Sequence, residues 1–134
     1  LKSGGRFVAE FGGAENVQTI TDELIKQIIA AGIPYNDADF PWYFPTIGEY
    51  TSLLESAGFH VSMAIHFSRP TKLVGENGLR NWLDMFSPNL FKNVDPEVKE
   101  RVFNTTVIHL KEKLYRNNDW YADYKRLRIV ALKK

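Results

Sequence analysis

The sequence predicts an α/β fold, a partial mixed sheet with helices laid over it. Three short runs alternate apolar and polar residues like strands, and the segments between them space apolar residues three and four apart like helices. Gly, Pro and Asn clusters punctuate the boundaries. Three strands and their helices describe part of an α/β layer, not a finished domain.

Taken in order, Gly4-Gly5 marks a turn, and Arg6 to Phe11 is predicted as the first strand, with Phe7, Ala9 and Phe11 on one face and Val8 and Glu10 on the other. After Gly12-Gly13, the spacing of Val17, Ile20, Leu24 and Ile28 predicts a helix. Gly32 stands where a left-handed cap belongs, and Pro34 prevents the helix from resuming. Asn36 to Pro45 holds two prolines and four aromatics, which argues against a helix there. Thr46 and Glu49 have capping-box spacing and open a short helix carrying Tyr50, Leu53 and Leu54, closed by Gly58.

Phe59 to Phe67 is the clearest strand, with Phe59, Val61, Met63, Ile65 and Phe67 alternating strictly. Gly78 to Phe86 predicts a helix presenting Leu79, Trp82, Leu83 and Phe86. Asp95-Pro96 supplies an N-cap and a first-position proline for a longer helix that reaches Leu114. Asn117-Asn118-Asp119 is a turn, and Leu127 to Leu132 is the last strand. No repeat, low-complexity stretch or linker divides residues 1–134, so a single compact unit with no internal boundary is expected. A start at Leu1, almost directly before a strand, predicts a piece of a longer chain.

Composition narrows the function. The 44% hydrophobic and 25% charged content is that of a globular protein, and a net charge of +1 offers no basic excess for nucleic acid. Cysteine is absent, which removes disulfides, thiolate metal sites and thiol nucleophiles, and fits a reducing cytoplasm. No apolar run approaches the roughly 20 residues of a membrane helix. His60 and His66 lie six residues apart on one strand face, roughly 20 Å, too far for one metal. No metal site is predicted.

Leu1-Lys2-Ser3-Gly4-Gly5-Arg6-Phe7-Val8-Ala9-Glu10 resembles the "L-K-P-G-G" turn and fifth strand of class I, Rossmann-like S-adenosylmethionine-dependent methyltransferases, with Ser3 in place of proline. Leu53-Leu54-Glu55-Ser56-Ala57-Gly58-Phe59 resembles their "LL-x-x-A-G-F" junction into the sixth strand. The run from Lys125 to Lys133 resembles their seventh strand, which folds back antiparallel between the fifth and sixth. Phe40 to Thr46, Phe67 to Thr71 and Gly78 to Leu83 resemble the trans-aconitate methyltransferase-like branch.

The resemblance implies the C-terminal part of a methyltransferase domain. Its parent would move a methyl group from S-adenosylmethionine to a small molecule, with a carboxylate as one candidate acceptor. The glycine-rich loop that grips the cofactor in this family has no counterpart here, since neither glycine pair forms G-x-G-x-G. The cofactor-binding half is thus expected to be absent, and the piece to be inactive alone. The alternatives are a non-catalytic ligand-binding module, or a module that pairs with a second copy through an exposed strand edge.

Candidate site residues follow from position. Glu10 ends the first strand, where open α/β sheets bind ligands; the alternative is a solvated carboxylate. Gly12, Gly13 and Asn16 are candidate cofactor contacts, or else simply a strand-to-helix turn. Trp42 and Tyr43 sit in a proline-flanked aromatic loop that suits either a pocket lid or core cover. Arg69 has the planar fork that binds a substrate carboxylate, against the alternative of a surface salt bridge. His66 is a candidate base, or a hydrogen-bonded histidine near a strand end. Lys125-Arg126-Leu127-Arg128 alternates charge with apolar residues, which points to strand salt bridges over nucleic acid.

Overall fold

The computed structural model describes residues 1–134. Its elements run β1 (Arg6–Gly12), α1 (Gln18–Ala30), α2 (Ile47–Ser56), β2 (Phe59–Lys72), α3 (Gly78–Phe86), α4 (Pro96–Leu114), β3 (Tyr115–Arg116) and β4 (Asp119–Lys133), with 3₁₀ turns at Asp37–Asp39 and Pro88–Phe91. No helix is long and apolar enough to cross a membrane.

The strands are ordered β1-β4-β2, with β3 paired to β4 as a short hairpin. β1 and β4 are antiparallel, from Arg6 opposite Leu132 to Gly12 opposite Arg126. β2 is antiparallel to β4 as well: Gly58 O accepts from Lys134 N, Val130 O from Ser62 Oγ, and Trp120 O from Leu73 N, so one number falls as the other rises. The last strand therefore lies antiparallel between two parallel ones, the arrangement the sequence resemblance implies.

Two strands are longer than their sequence patterns indicate. β2 runs on through Arg69-Pro70 to Lys72, because an edge strand has one side without ladder partners and tolerates the missing proline N–H. β4 begins at Asp119, where Trp120 and Ala122 are buried although charged residues interrupt the run. The turn into it places Asn117 and Asn118 at φ 52° and 65°, left-handed at both central positions as a tight hairpin turn requires.

The chain divides into two compact units, each assembled from separated stretches. The first comprises Leu1–Asn16, Tyr43–Arg69 and Tyr124–Lys134. Its core is one face of the sheet under α2: Leu54, Leu127, Ile129 and Ala131 are buried, with Phe7, Phe11, Tyr50, Phe59, Val61 and Ala64 packed against them. Val61 and Ala64 both reach this core though an odd number of residues apart, so the alternation of β2 changes phase between them. Phe11 meets Tyr50 edge-on at 4.6 Å. The predicted capping box is present at the start of α2: Thr46 Oγ1 accepts from Glu49 N, and Glu49 Oε1 accepts from Thr46 N.

The second unit comprises Val17–Trp42 and Pro70–Asp123. Here α1 packs on α4, and Ile20, Leu24, Ile28, Phe103 and Leu110 are buried. Gly32, at φ 78°, closes α1 with a paired motif in which Gly32 N donates to Ile29 O and Ile33 N to Ile28 O. Val17 is the N-cap of α1 and adopts φ 49°, strained for a β-branched residue. It supplies no side-chain cap; Asp123 does so instead, its Oδ2 accepting from Thr19 N at 2.9 Å. Burial of the Val17 side chain and its N–H bond to Asp123 O hold the strained turn in place. Asp95 caps α4 as its sequence indicates, accepting from Glu97 N.

Candidate functional site

The polar centre of the first unit is built on strand register. Glu10 of β1 faces Arg128 of β4 directly, and Arg126 stands two residues earlier on β4, opposite Gly12. Opposite charges across an antiparallel pair attract, and their side chains share a sheet face. Arg128 Nε and Nη2 both donate to Glu10 Oε1, at 3.0 and 2.7 Å. Arg69 Nη1 donates to Oε2 at 2.9 Å, and Arg126 Nε lies 3.6 Å from that oxygen. Arg126 Nη2 also donates to the backbone oxygen of Glu10. The Arg128 guanidinium lies 5.1 Å from the Phe67 ring centroid, a cation–π contact.

Three guanidinium groups thus converge on one carboxylate. The hydrogen bond from Arg128 is the main reason that the Glu10 carboxyl titrates below its ordinary value; partial burial opposes this, and the charges of Arg128, Arg69 and Arg126 reinforce it. Glu10 stays ionised wherever the protein is folded near neutral pH. The sequence singled out Glu10 and Arg69 but not their pairing with each other or with Arg126 and Arg128. Matching strand parity was the available signal: Glu10 on β1 and two arginines spaced by two on β4.

The turn after β1 is closed on itself. Gly13 N donates to Lys125 O, Ala14 N to Pro45 O and Asn16 N to Gly13 O. Asn16 is buried, and its Oδ1 accepts from Lys125 N at 2.7 Å. A Cβ on Gly12 would sit 2.7 Å from both the Phe44 ring and Asn16 Nδ2, and one on Gly13 would sit 3.1 Å from the His66 ring. The glycines admit neighbouring side chains at close range, and the amides of Gly13, Ala14 and Asn16 are bonded inside the chain.

His66 Nε2 donates to Ala14 O at 3.0 Å, which ties β2 to the same turn. Tyr43 is two-thirds exposed. Trp42 belongs to the second unit, in an aromatic cluster with Phe40, Trp82 and Phe86 at centroid distances of 5.0 to 6.0 Å. The space left among these rings is about 10 Å³, so the cluster is filled. Of the sequence candidates, Glu10 and Arg69 meet each other, and Gly12, Gly13, Asn16 and His66 gather at the turn after β1.

No family model matches the chain. Over its whole length it is 34% identical, across 140 aligned positions, to a Schizosaccharomyces pombe protein named as an uncharacterized methyltransferase. The chain is similar to a methyltransferase from end to end. It spans about half of that relative's length, 52%. A solved Bacillus halodurans structure, described provisionally as a methyltransferase, aligns with 99% of this chain and 57% of its own at 13% identity and a TM-score of 0.48.

Proposed function

We propose that the chain is the substrate-side half of an S-adenosylmethionine-dependent methyltransferase of the trans-aconitate methyltransferase-like branch, acting on a small acceptor that bears a carboxylate. The observation that carries this reading is the end-to-end similarity to a relative named as a methyltransferase, of which the chain spans 52%. The sheet order β1-β4-β2, with the last strand antiparallel in the middle, supports it.

The bound cofactor would supply an electrophilic methyl group, so the chemistry needs alignment and exclusion of water more than a strong base. On this chain the Glu10–arginine cluster provides a positively charged, geometrically fixed surface at the carboxyl end of β1, suited to attracting and orienting an anionic acceptor. The cofactor grip itself belongs, on this reading, to the other half of a longer protein, and the 134-residue piece is inactive alone.

Calorimetric titration of S-adenosylmethionine into the 134-residue chain tests this division. The expected outcome is no stoichiometric heat, because the turn amides and the Asn16 side chain are already bonded internally. Saturable one-to-one binding would overturn the assignment of the cofactor site to another half.

A further inference from the structure

We infer that Asn77-Gly78, at the exposed start of α3, is a site where the chain modifies itself, exchanging the Asn77 side-chain amide for a carboxylate. The reaction needs an asparagine side chain free to turn back on its own backbone, and a following residue that does not obstruct it. Asn77 is the one asparagine in the chain followed by glycine, which lacks the Cβ that would shield the attacking nitrogen. Other asparagines are engaged or enclosed. Asn16 and Asn36 each accept from a backbone amide, and Asn81 and Asn104 lie inside α3 and α4.

The local structure leaves Asn77 unengaged. It holds the N-cap position of α3 and is exposed, yet its side chain caps nothing. Gly78 N donates to Gly75 O at 3.1 Å, and this bond closes one turn of the exposed stretch Val74 to Asn77. Single exposed turns open locally far more often than a whole chain unfolds. The glycine itself is demanded by packing, because a Cβ on Gly78 would sit 2.8 Å from Leu73 Cβ. The susceptible pair is therefore built into the way α3 begins.

The chemistry needs only water. The deprotonated Gly78 nitrogen attacks Asn77 Cγ, a new C–N bond forms, and the side-chain nitrogen leaves as ammonia. Water then opens the cyclic imide at either carbonyl, leaving aspartate or its isoaspartyl isomer, and nothing is oxidised or reduced. Aspartate suits the place better than asparagine. Ionised at neutral pH, it puts a negative charge at the positive end of the helix and an acceptor beside its first amides. The isoaspartyl form lengthens the backbone by a methylene instead and displaces the cap. The inference is independent of methyl transfer and of the Glu10 cluster.

To test it, the folded 134-residue chain is held at neutral and at mildly alkaline pH, then digested, and peptide mass spectrometry follows every asparagine. Asn77 is expected to convert ahead of all the others and to give both aspartyl and isoaspartyl forms. Alkali should speed it, because the attacking nitrogen must shed its proton. Urea kept below the unfolding transition should leave the rate almost unchanged, since opening one turn exposes little surface. Asn77→Asp, with its normal backbone linkage, should melt above wild type. Conversion at Asn77 no faster than elsewhere, or a rate that climbs with urea as global unfolding does, would overturn the site. A melting temperature of Asn77→Asp at or below that of wild type would overturn the charged cap.

Discussion

Phe7, Phe11, Leu127, Ile129 and Ala131 stand on one face of the β1–β4 pair, and Val8, Glu10, Arg128 and Leu132 on the other. On the first face Leu127, Ile129 and Ala131 have no exposure at all. On the second, Val8 is 63% and Leu132 40% exposed, and Glu10 and Arg128 are joined by short charge-assisted hydrogen bonds. The backbone is shared, so the difference comes from side chains alone. One face is held by removing apolar surface from water, each fully buried aliphatic side chain contributing about 1.5–3 kcal/mol. The other is held by ion pairs that stay in contact with solvent and contribute far less each.

Truncation on the buried face gives the largest expected effect. Ile129→Ala leaves a cavity under α2 and should destabilise the chain by about 2–5 kcal/mol in urea denaturation; a loss below about 1 kcal/mol would mean that this face is not the core. Glu10→Gln comes next, with a loss that depends on pH. The folded Glu10 carboxyl titrates below its ordinary value of 4.5, so its stabilisation is fully present above that value and disappears as pH falls through the lowered one. Wild type and variant should differ at neutral pH and converge in acid, as read by thermal melts across pH. A difference that persists unchanged in acid would show that Glu10 acts by packing instead of charge. Val8→Ala should change stability least, by under about 0.5 kcal/mol, in the same denaturation series. A larger loss would show that this second face is covered in solution.

The contrast also separates what was readable in the sequence from what was not. Strict alternation at Phe7 and Phe11, the Thr46–Glu49 capping box, Gly32 after α1 and Asp95-Pro96 before α4 are local signals, and the structure has each feature at those residues. Interactions between distant residues were harder to see. The first half of β4 hides its Trp120–Ala122 alternation behind Asp119, Asp123 and Lys125, and β2 continues through a proline that usually stops a strand. Arg69 was recognisable as a carboxylate ligand, but its carboxylate is Glu10, 59 residues away. Likewise the α1 cap comes from Asp123 instead of the residue beside the helix, because strained Val17 has no polar atom to offer. Spacing rules describe neighbours along the chain, and these partners become neighbours only through the sheet.

The pairing of β1 with β4 has a consequence for how the molecule is made. Arg6 pairs with Leu132, so β1 leaves the ribosome well over a hundred residues before β4, its partner in this sheet. At ordinary elongation rates that interval is about 10 s, long compared with helix formation. The helices of the second unit can form during synthesis, while the edge of β1 that meets β4 stays unpaired until β4 emerges. Closing so long a loop makes the β1–β4 pairing slower than the local turns of the helices.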